Sequence, residues 1–116
     1  MAKFLEFVLE NQDYAISVNS VCNISQPNKI FRVPHTPDFV LGVTHYRGYI
    51  LTVIDLKCLF GISNAPLDKY QLTINVCVEN SFYALLTDNV LGVVDVNQNT
   101  KKLIKALNFQ FIILNE

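Results

Sequence analysis

The chain has 116 residues, 51% of them hydrophobic and 16% charged, which suits a single domain that buries a core without disulfides or a metal to staple it. A formal net charge of −1 at pH 7 supplies no field to attract nucleic acid or an anionic bilayer. The apolar runs, such as residues 39–43 and 111–114, fall far short of the roughly 20 residues a membrane span needs.

Leu5, Phe7 and Leu9 share one face of an alternating segment and Glu6 and Glu10 the other, so the chain opens on a strand, and Asn11-Gln12-Asp13 turns it. Glu6 also breaks the apolar start, and no small-residue cleavage site follows it; this does not read as a signal peptide, and the cytoplasm is the expected location. Tyr14, Ile16 and Val18 continue as the second arm of a hairpin. Residues 21–25 and 30–33 extend the β pattern across the turn-forming Gln26-Pro27-Asn28-Lys29. A short helical turn is predicted at 36–42, with Thr36 capping, Pro37 at the first position, Asp38 complementing the dipole and Gly42 ending it. Phe39, Val40 and Leu41 would then dock on the core.

Residues 43–46 and 49–54 form two β-rich arms around Arg47-Gly48, so Arg47 projects from a hairpin tip. Residues 55–60 read as a second short helix, capped by Asp55 and stopped by Gly61, before a loop at 63–68. Leu72, Ile74, Val76 and Val78 alternate strictly with polar or small residues, which is the pattern of a half-buried strand. Glu79-Asn80-Ser81 turns the chain into strands at 82–86, 90–96 and 110–114, with a polar loop at 97–102. Many short strands with no helix beyond about two turns indicate a mainly β fold of small barrels or a sandwich.

The run Pro34-His35-Thr36-Pro37, then Gly42-Val43-Thr44-His45-Tyr46-Arg47-Gly48, then Val53-Ile54-Asp55-Leu56 resembles the CheW-like family. That family carries Pro-x-x-Pro, a Gly-Val-x-Asn-Leu-Arg-Gly turn and Val-x-Asp-Leu at these places. Tyr14-Ala15-Ile16, Val21-Cys22-Asn23-Ile24 and the stretch from Ala84 to Val90 are similar to three further landmarks, so the likeness runs along nearly the whole chain. The resemblance implies two small SH3-like β-barrels sharing a core, with one or two short helical turns. The expected organisation is one domain over 1–116, with approximate barrels at 1–66 and 67–116 that allow for exchange of strands.

The resemblance further implies a non-enzymatic adaptor, without cofactor, joining the cytoplasmic hairpin of a chemoreceptor to the regulatory domain of a CheA-type histidine kinase. It would sit in membrane-associated receptor arrays with no direct membrane insertion and no nucleic acid, and self-association within the array is a further option. Residue by residue, the likeness assigns partner contact to Val21 and Asn23 on one strand and to Gly42, His45, Tyr46, Arg47 and Gly48 on the signature turn. Asp88 and Val90 follow on a later strand, with Tyr14 and Asp88 also open to structural roles. Arg47 leads this set, because a guanidinium offers five donors in a rigid fork that matches carboxylates or helix-end carbonyls; the alternative is that it caps its own hairpin.

The departures are Asn23 where the family has glutamate, His45-Tyr46 for Asn-Leu, Thr52 for a proline, and an ending at Leu114-Asn115-Glu116 without the terminal helix many members carry. That missing element is either dispensable or supplied by a partner or second copy. Phe39 and Tyr49 are assigned to packing. Two other functions remain beside the array adaptor: an adaptor of a pilus-type chemosensory system, and a thiol enzyme built on Cys22, Cys58 or Cys77 with His35 or His45. No catalytic motif surrounds these cysteines, and they read as small hydrophobes, Cys77 on an alternating strand above all. His35 and His45 lack further ligands at metal spacing, and Lys101, Lys102 and Lys105 read as a solvated loop.

Overall fold

The apolar alternation at the start of the chain is realised in a computed structural model that describes residues 2–62, 72–96 and 102–114. The loop expected at 63–68, and the polar loop at 97–102 except for its last residue, lie outside the described residues. Strands β1 (Ala2–Leu9) and β2 (Gln12–Ser17) pair as the predicted hairpin, with Leu5, Phe7, Leu9, Tyr14 and Ile16 buried. The turn is the two-residue Glu10-Asn11, at φ 59° and 91°, and not Asn11-Gln12-Asp13, since Gln12 and Asp13 pair with Leu9 and Val8 as the start of β2.

After a single 3-10 turn at Val18–Ser20 come β3 (Val21–Ser25), β4 (Val40–Tyr46), β5 (Tyr49–Asp55), the short helix α1 (Leu56–Leu59), β6 (Leu72–Val78), β7 (Ser81–Thr87), β8 (Asn89–Val96), β9 (Lys102–Ala106) and β10 (Phe109–Leu114). Four hairpins, β1–β2, β4–β5, β6–β7 and β9–β10, close on two-residue turns in which both residues have positive φ: Glu10-Asn11, Arg47-Gly48, Glu79-Asn80 and Leu107-Asn108. Mirror-image turns of this kind match the twist of the flanking strands, and Asn or Gly at the second position lowers their strain.

The protein is mainly β, and the strands form two five-stranded sheets, in the orders β8-β1-β2-β10-β9 and β3-β6-β7-β5-β4. This is consistent with paired SH3-like barrels. The sheets do not divide near residue 66: the first takes both ends of the chain and the second the middle. Both edges of the β1–β2 hairpin are filled by late strands, β8 beside β1 and β10 beside β2. One common core joins the sheets, with Phe7, Leu9, Ile16 and Phe111 from the first meeting Ile54, Ile74, Val76 and Leu85 from the second. Burial of each such side chain contributes about 1.5–3 kcal/mol. A smaller cluster of Leu51, Val53, Ala84 and Leu86 covers the other face of the second sheet.

Several expectations change here. The helical turn at 36–42 is absent, since Val40, Leu41 and Gly42 are drawn into β4 by pairing with β5, leaving one turn bond from Val40 N–H to the Pro37 carbonyl at 3.0 Å. Residues 30–33 form no strand, only a bridge between Phe31 and Val43. β6 is covered on both faces, with Thr73 and Asn75 as buried as Ile74 and Val76, because the second cluster lies behind it. Strand β9 was not anticipated, since Lys102 and Lys105 mask its alternation. The helix at 55–60 is present, and the Asp55 carboxylate caps it by accepting the amides of Lys57 and Cys58 at 3.1 and 3.3 Å. No helix among the described residues is long and apolar enough to cross a membrane, which leaves membrane-crossing strands unaddressed.

The two sheets are also tied by charge. Lys57 on α1 is 7% exposed, and its ammonium lies 2.8 Å from Asp88 at the β7–β8 corner and 3.2 Å from Glu10 in the β1–β2 turn. Asp88 also accepts the Glu10 amide at 2.8 Å. Burial pulls the Lys57 pKa down, but the hydrogen bonds and charges of Asp88 and Glu10 outweigh it, so the ammonium titrates above the ordinary lysine value. Folding thus favours the protonated form. This contribution is complete below the unfolded lysine value of about 10.4 and is lost as pH rises through the higher folded value. Lys57→Met should lower the unfolding free energy at pH 7 by about 1–3 kcal/mol, measured by urea denaturation, with the difference from wild type shrinking at strongly alkaline pH; equal stabilities at pH 7 would show that the cation does not hold the junction.

Candidate partner-docking site

Tyr46 and Tyr49 face each other across the β4–β5 hairpin, and the turn between them lifts Arg47 into solvent. The guanidinium lies 5.2 Å from the centre of the Tyr46 ring, a cation–π contact that braces the side chain. Arg47 therefore leans on an aromatic face instead of bonding its own hairpin carbonyls. Tyr46 is half-buried against the second cluster, while Tyr49 packs on Phe82 of β7 with ring centres 4.7 Å apart. Tyr49 is nevertheless 55% exposed and Ile50 62%. The assignment of Tyr49 to packing thus holds only in part: its ring contacts Phe82, and at the hairpin mouth the rest of it is exposed.

Beside this hairpin lie β3 and β6, where Asn23 stands opposite Asn75. The Asn75 amide donates to Asn23 Oδ1 at 2.9 Å and to Ser25 Oγ at 3.1 Å. Cys22 is the extra residue of a β-bulge between Val21 and Asn23, and it is exposed. Asn23, Asn75 and Cys22 form one wall of a groove, Tyr46, Arg47 and Tyr49 the other, with Val76 and Phe82 between. Three expected residues, Asn23, Tyr46 and Arg47, are thereby brought together. Asn75 and Phe82 escaped the sequence reading, because only the pairing of β6 with β3 and β7 reveals them; Cys22, expected as a small buried hydrophobe, is exposed because it sits at the bulge.

The other expected residues take different places. Val21 is half-buried against the common core. Gly48 supplies the positive φ of the turn, at 85°. His45 is exposed, with its ring 6.2 Å from Phe31, and its carbonyl accepts the Asn28 amide at 2.9 Å. Gly42 has φ 148°, and a Cβ there would lie 2.2 Å from the Phe31 carbonyl oxygen, so glycine lets the 31–32 segment lie against β4. Asp88 is engaged with Lys57 and the Glu10 amide, and Val90 packs on the common core. Neither lines the groove.

The Cys58 thiol is not disposed for nucleophilic work. Burial pushes the Cys58 thiol up, and the carboxylates of Asp55 and Asp38 push it further, opposite to the direction that activates a cysteine. Cys77 is part-exposed at the end of β6, so its assignment to buried packing holds only in part. Among the described residues no three His, Cys, Asp or Glu side chains gather as a metal site.

A mainly β domain with a surface groove of aromatic rings, amides and one arginine has the makeup of a docking module. The chain matches the CheW-like domain over residues 3–109, and it belongs to that family. It is 31% identical over 94 residues to the chemotaxis protein CheW of Klebsiella aerogenes, covering 81% of this chain and 57% of that protein. It is 27% identical to the probable chemotaxis protein CheW of Rhizobium etli, covering 94% and 73%. A match to CheW of Helicobacter pylori, at 37% identity, takes in 58% of this chain and 41% of that protein. The chain thus spans about half the length of some of these relatives. In three dimensions it is similar to the crystal structure of the scaffolding protein TtCheW from Thermoanaerobacter tengcongensis, with a TM-score of 0.78 and 26% identity, over 97% of this chain and 87% of that one.

The close approach at Gly42 yields a direct test. Gly42→Ala adds a methyl group against the Phe31 carbonyl at a backbone angle that side chains avoid, and should destabilise the protein by about 2 kcal/mol or more in thermal or urea unfolding. Wild-type stability in that variant would show that the 31–32 segment is free to move away.

Proposed function

We propose that this domain is a non-enzymatic chemotaxis adaptor that couples the cytoplasmic hairpin of a chemoreceptor to the regulatory domain of a CheA-type histidine kinase, in the cytoplasm at receptor arrays. The observation that carries this reading is the groove at the β4–β5 hairpin. It places the exposed Tyr49 ring, packed on Phe82, beside a braced arginine on paired strands, the makeup of a protein-recognition surface. Membership of the CheW-like family and likeness to a scaffolding protein support it. The raised Cys58 thiol favours it over a thiol enzyme.

Arg47, Asn23 and Tyr46 would carry receptor contact in this reading. His45 lies on the opposite face of β4 from Tyr46, beside Phe31, and Gly42 and Gly48 act through backbone shape. Asp88 and Val90 serve the join between the sheets. A helix of the receptor hairpin would lay its apolar side chains along the groove.

The test is a three-component binding assay with a receptor hairpin fragment and a CheA regulatory domain. Wild-type protein should co-sediment with both. Arg47→Glu should weaken receptor binding about tenfold, as loss of a charged interface contact does, with an unchanged thermal melt. Failure of the wild type to bind either fragment would overturn the adaptor reading, and full receptor affinity in Arg47→Glu would take Arg47 out of the interface.

A further inference from the structure

The second sheet buries polar side chains on the face turned away from the common core. Thr73 and Asn75 of β6 lie there opposite Leu86 and Ala84 of β7, and Thr44 of β4 lies opposite Leu51 of the same smaller cluster. The segment at residues 26–30 closes over them. Thr44 Oγ1 donates to the Lys29 carbonyl at 2.8 Å, and Ile30 packs on the cluster. Between segment and sheet is a small cavity, lined by Ser25, Thr44, Thr73 and Asn75 together with apolar Val53 and Leu86. It leaves about 10 Å³ in which the centre of a water molecule can lie, room for one water and nothing larger. No Asp, Glu, Lys, Arg or His lines it, so it holds no counter-charge for an ion.

Thr73 is the group that requires a ligand there. It is 4% exposed, and its hydroxyl has no hydrogen-bond partner among the described residues. A buried hydroxyl without a partner forfeits the bonds it makes in water, so folded proteins pair nearly all of them. The neighbouring side chains have bonding capacity to share. Thr44 Oγ1 spends its hydrogen on the Lys29 carbonyl and keeps lone pairs to accept with, while Ser25 Oγ accepts from the Asn75 amide at 3.1 Å and keeps its own hydrogen to donate.

We propose that this cavity is a binding site for a single ordered water, held by Thr73 Oγ1 and by at least one of the Ser25, Thr44 and Asn75 side chains. Such a water makes two to four bonds and satisfies groups that the protein alone leaves unpaired. It ties β6 to the segment at 26–30, which forms no strand or helix of its own. Tyr46 and Asn75 line both this cavity and the groove, so the water lies behind the docking surface and contacts no partner. The site is therefore independent of the adaptor reading.

The experiment pairs a high-resolution crystal structure of the wild type and of Thr73→Val with urea denaturation of both. Wild-type density should show a peak within hydrogen-bonding distance of Thr73 Oγ1 and of a second polar atom of the lining, and Thr73→Val should lack it. Thr73→Val nearly keeps the side-chain shape and removes the hydroxyl, so its folding equilibrium constant should fall about fivefold as the water loses its anchor. A hydroxyl without a water predicts the opposite sign, because the valine then removes a desolvated polar group at no loss of bonding. Thr73→Val more stable than wild type, or wild-type density in which Thr73 Oγ1 meets no water or bonds a protein group directly, would overturn the site. Where Thr73→Val does not fold, the wild-type density alone decides.

Discussion

Neither sheet can stand without the other, because each carries an apolar face that only its neighbour covers. Phe7, Leu9, Ile16 and Phe111 on one side and Ile54, Ile74, Val76 and Leu85 on the other form a single cluster, so the two ends of the chain and its middle are held by the same burial. The parallel pairing of β5 with β7 and the antiparallel pairing of β6 with β3 and β7 follow inside that frame. These pairings decide which side chains meet at the surface. The groove at Arg47 is therefore a consequence of core registration, even though Asn23 and Arg47 lie outside the core.

Rigidity reaches the surface through short connections. Two-residue turns close four of the hairpins among the described residues, and the Arg47-Gly48 turn delivers its arginine from the end of a paired hairpin. The Phe31–Val43 bridge straps the outer edge of β4, with Gly42 making room for it. The Lys57, Asp88 and Glu10 contacts fasten α1 to the turn of the first sheet and to the corner where the chain passes between sheets. Preorganised surfaces of this kind reduce the ordering cost of association, which suits the adaptor role proposed above.

The same geometry separates residues that the linear pattern treats alike. Arg47 and Asp88 both carry charge beside a strand end. The first stands free over an aromatic ring, while the second is bound internally to a buried lysine. Asp88 thus has a structural task in this chain, whereas Asn23 and Tyr46 remain on the open groove with Arg47.

Local pattern by itself determined the mainly β class, most strand positions, the Arg47 hairpin tip and the Asp55-capped helix, because alternation, turn residues and capping act over a few neighbouring positions. The ordered landmarks from Tyr14 to Val90 were likewise enough to mark a likeness to the CheW-like family. Tertiary structure alone decided that the first and last strands share a sheet, that residues 40–42 extend β4 instead of forming a helix, that β6 is covered on both faces, and that Tyr49 is exposed. It also decided that Asn75 faces Asn23. Each of these depends on which strand lies beside which, and strand neighbours are chosen by burial between segments far apart in the chain, which local periodicity does not record.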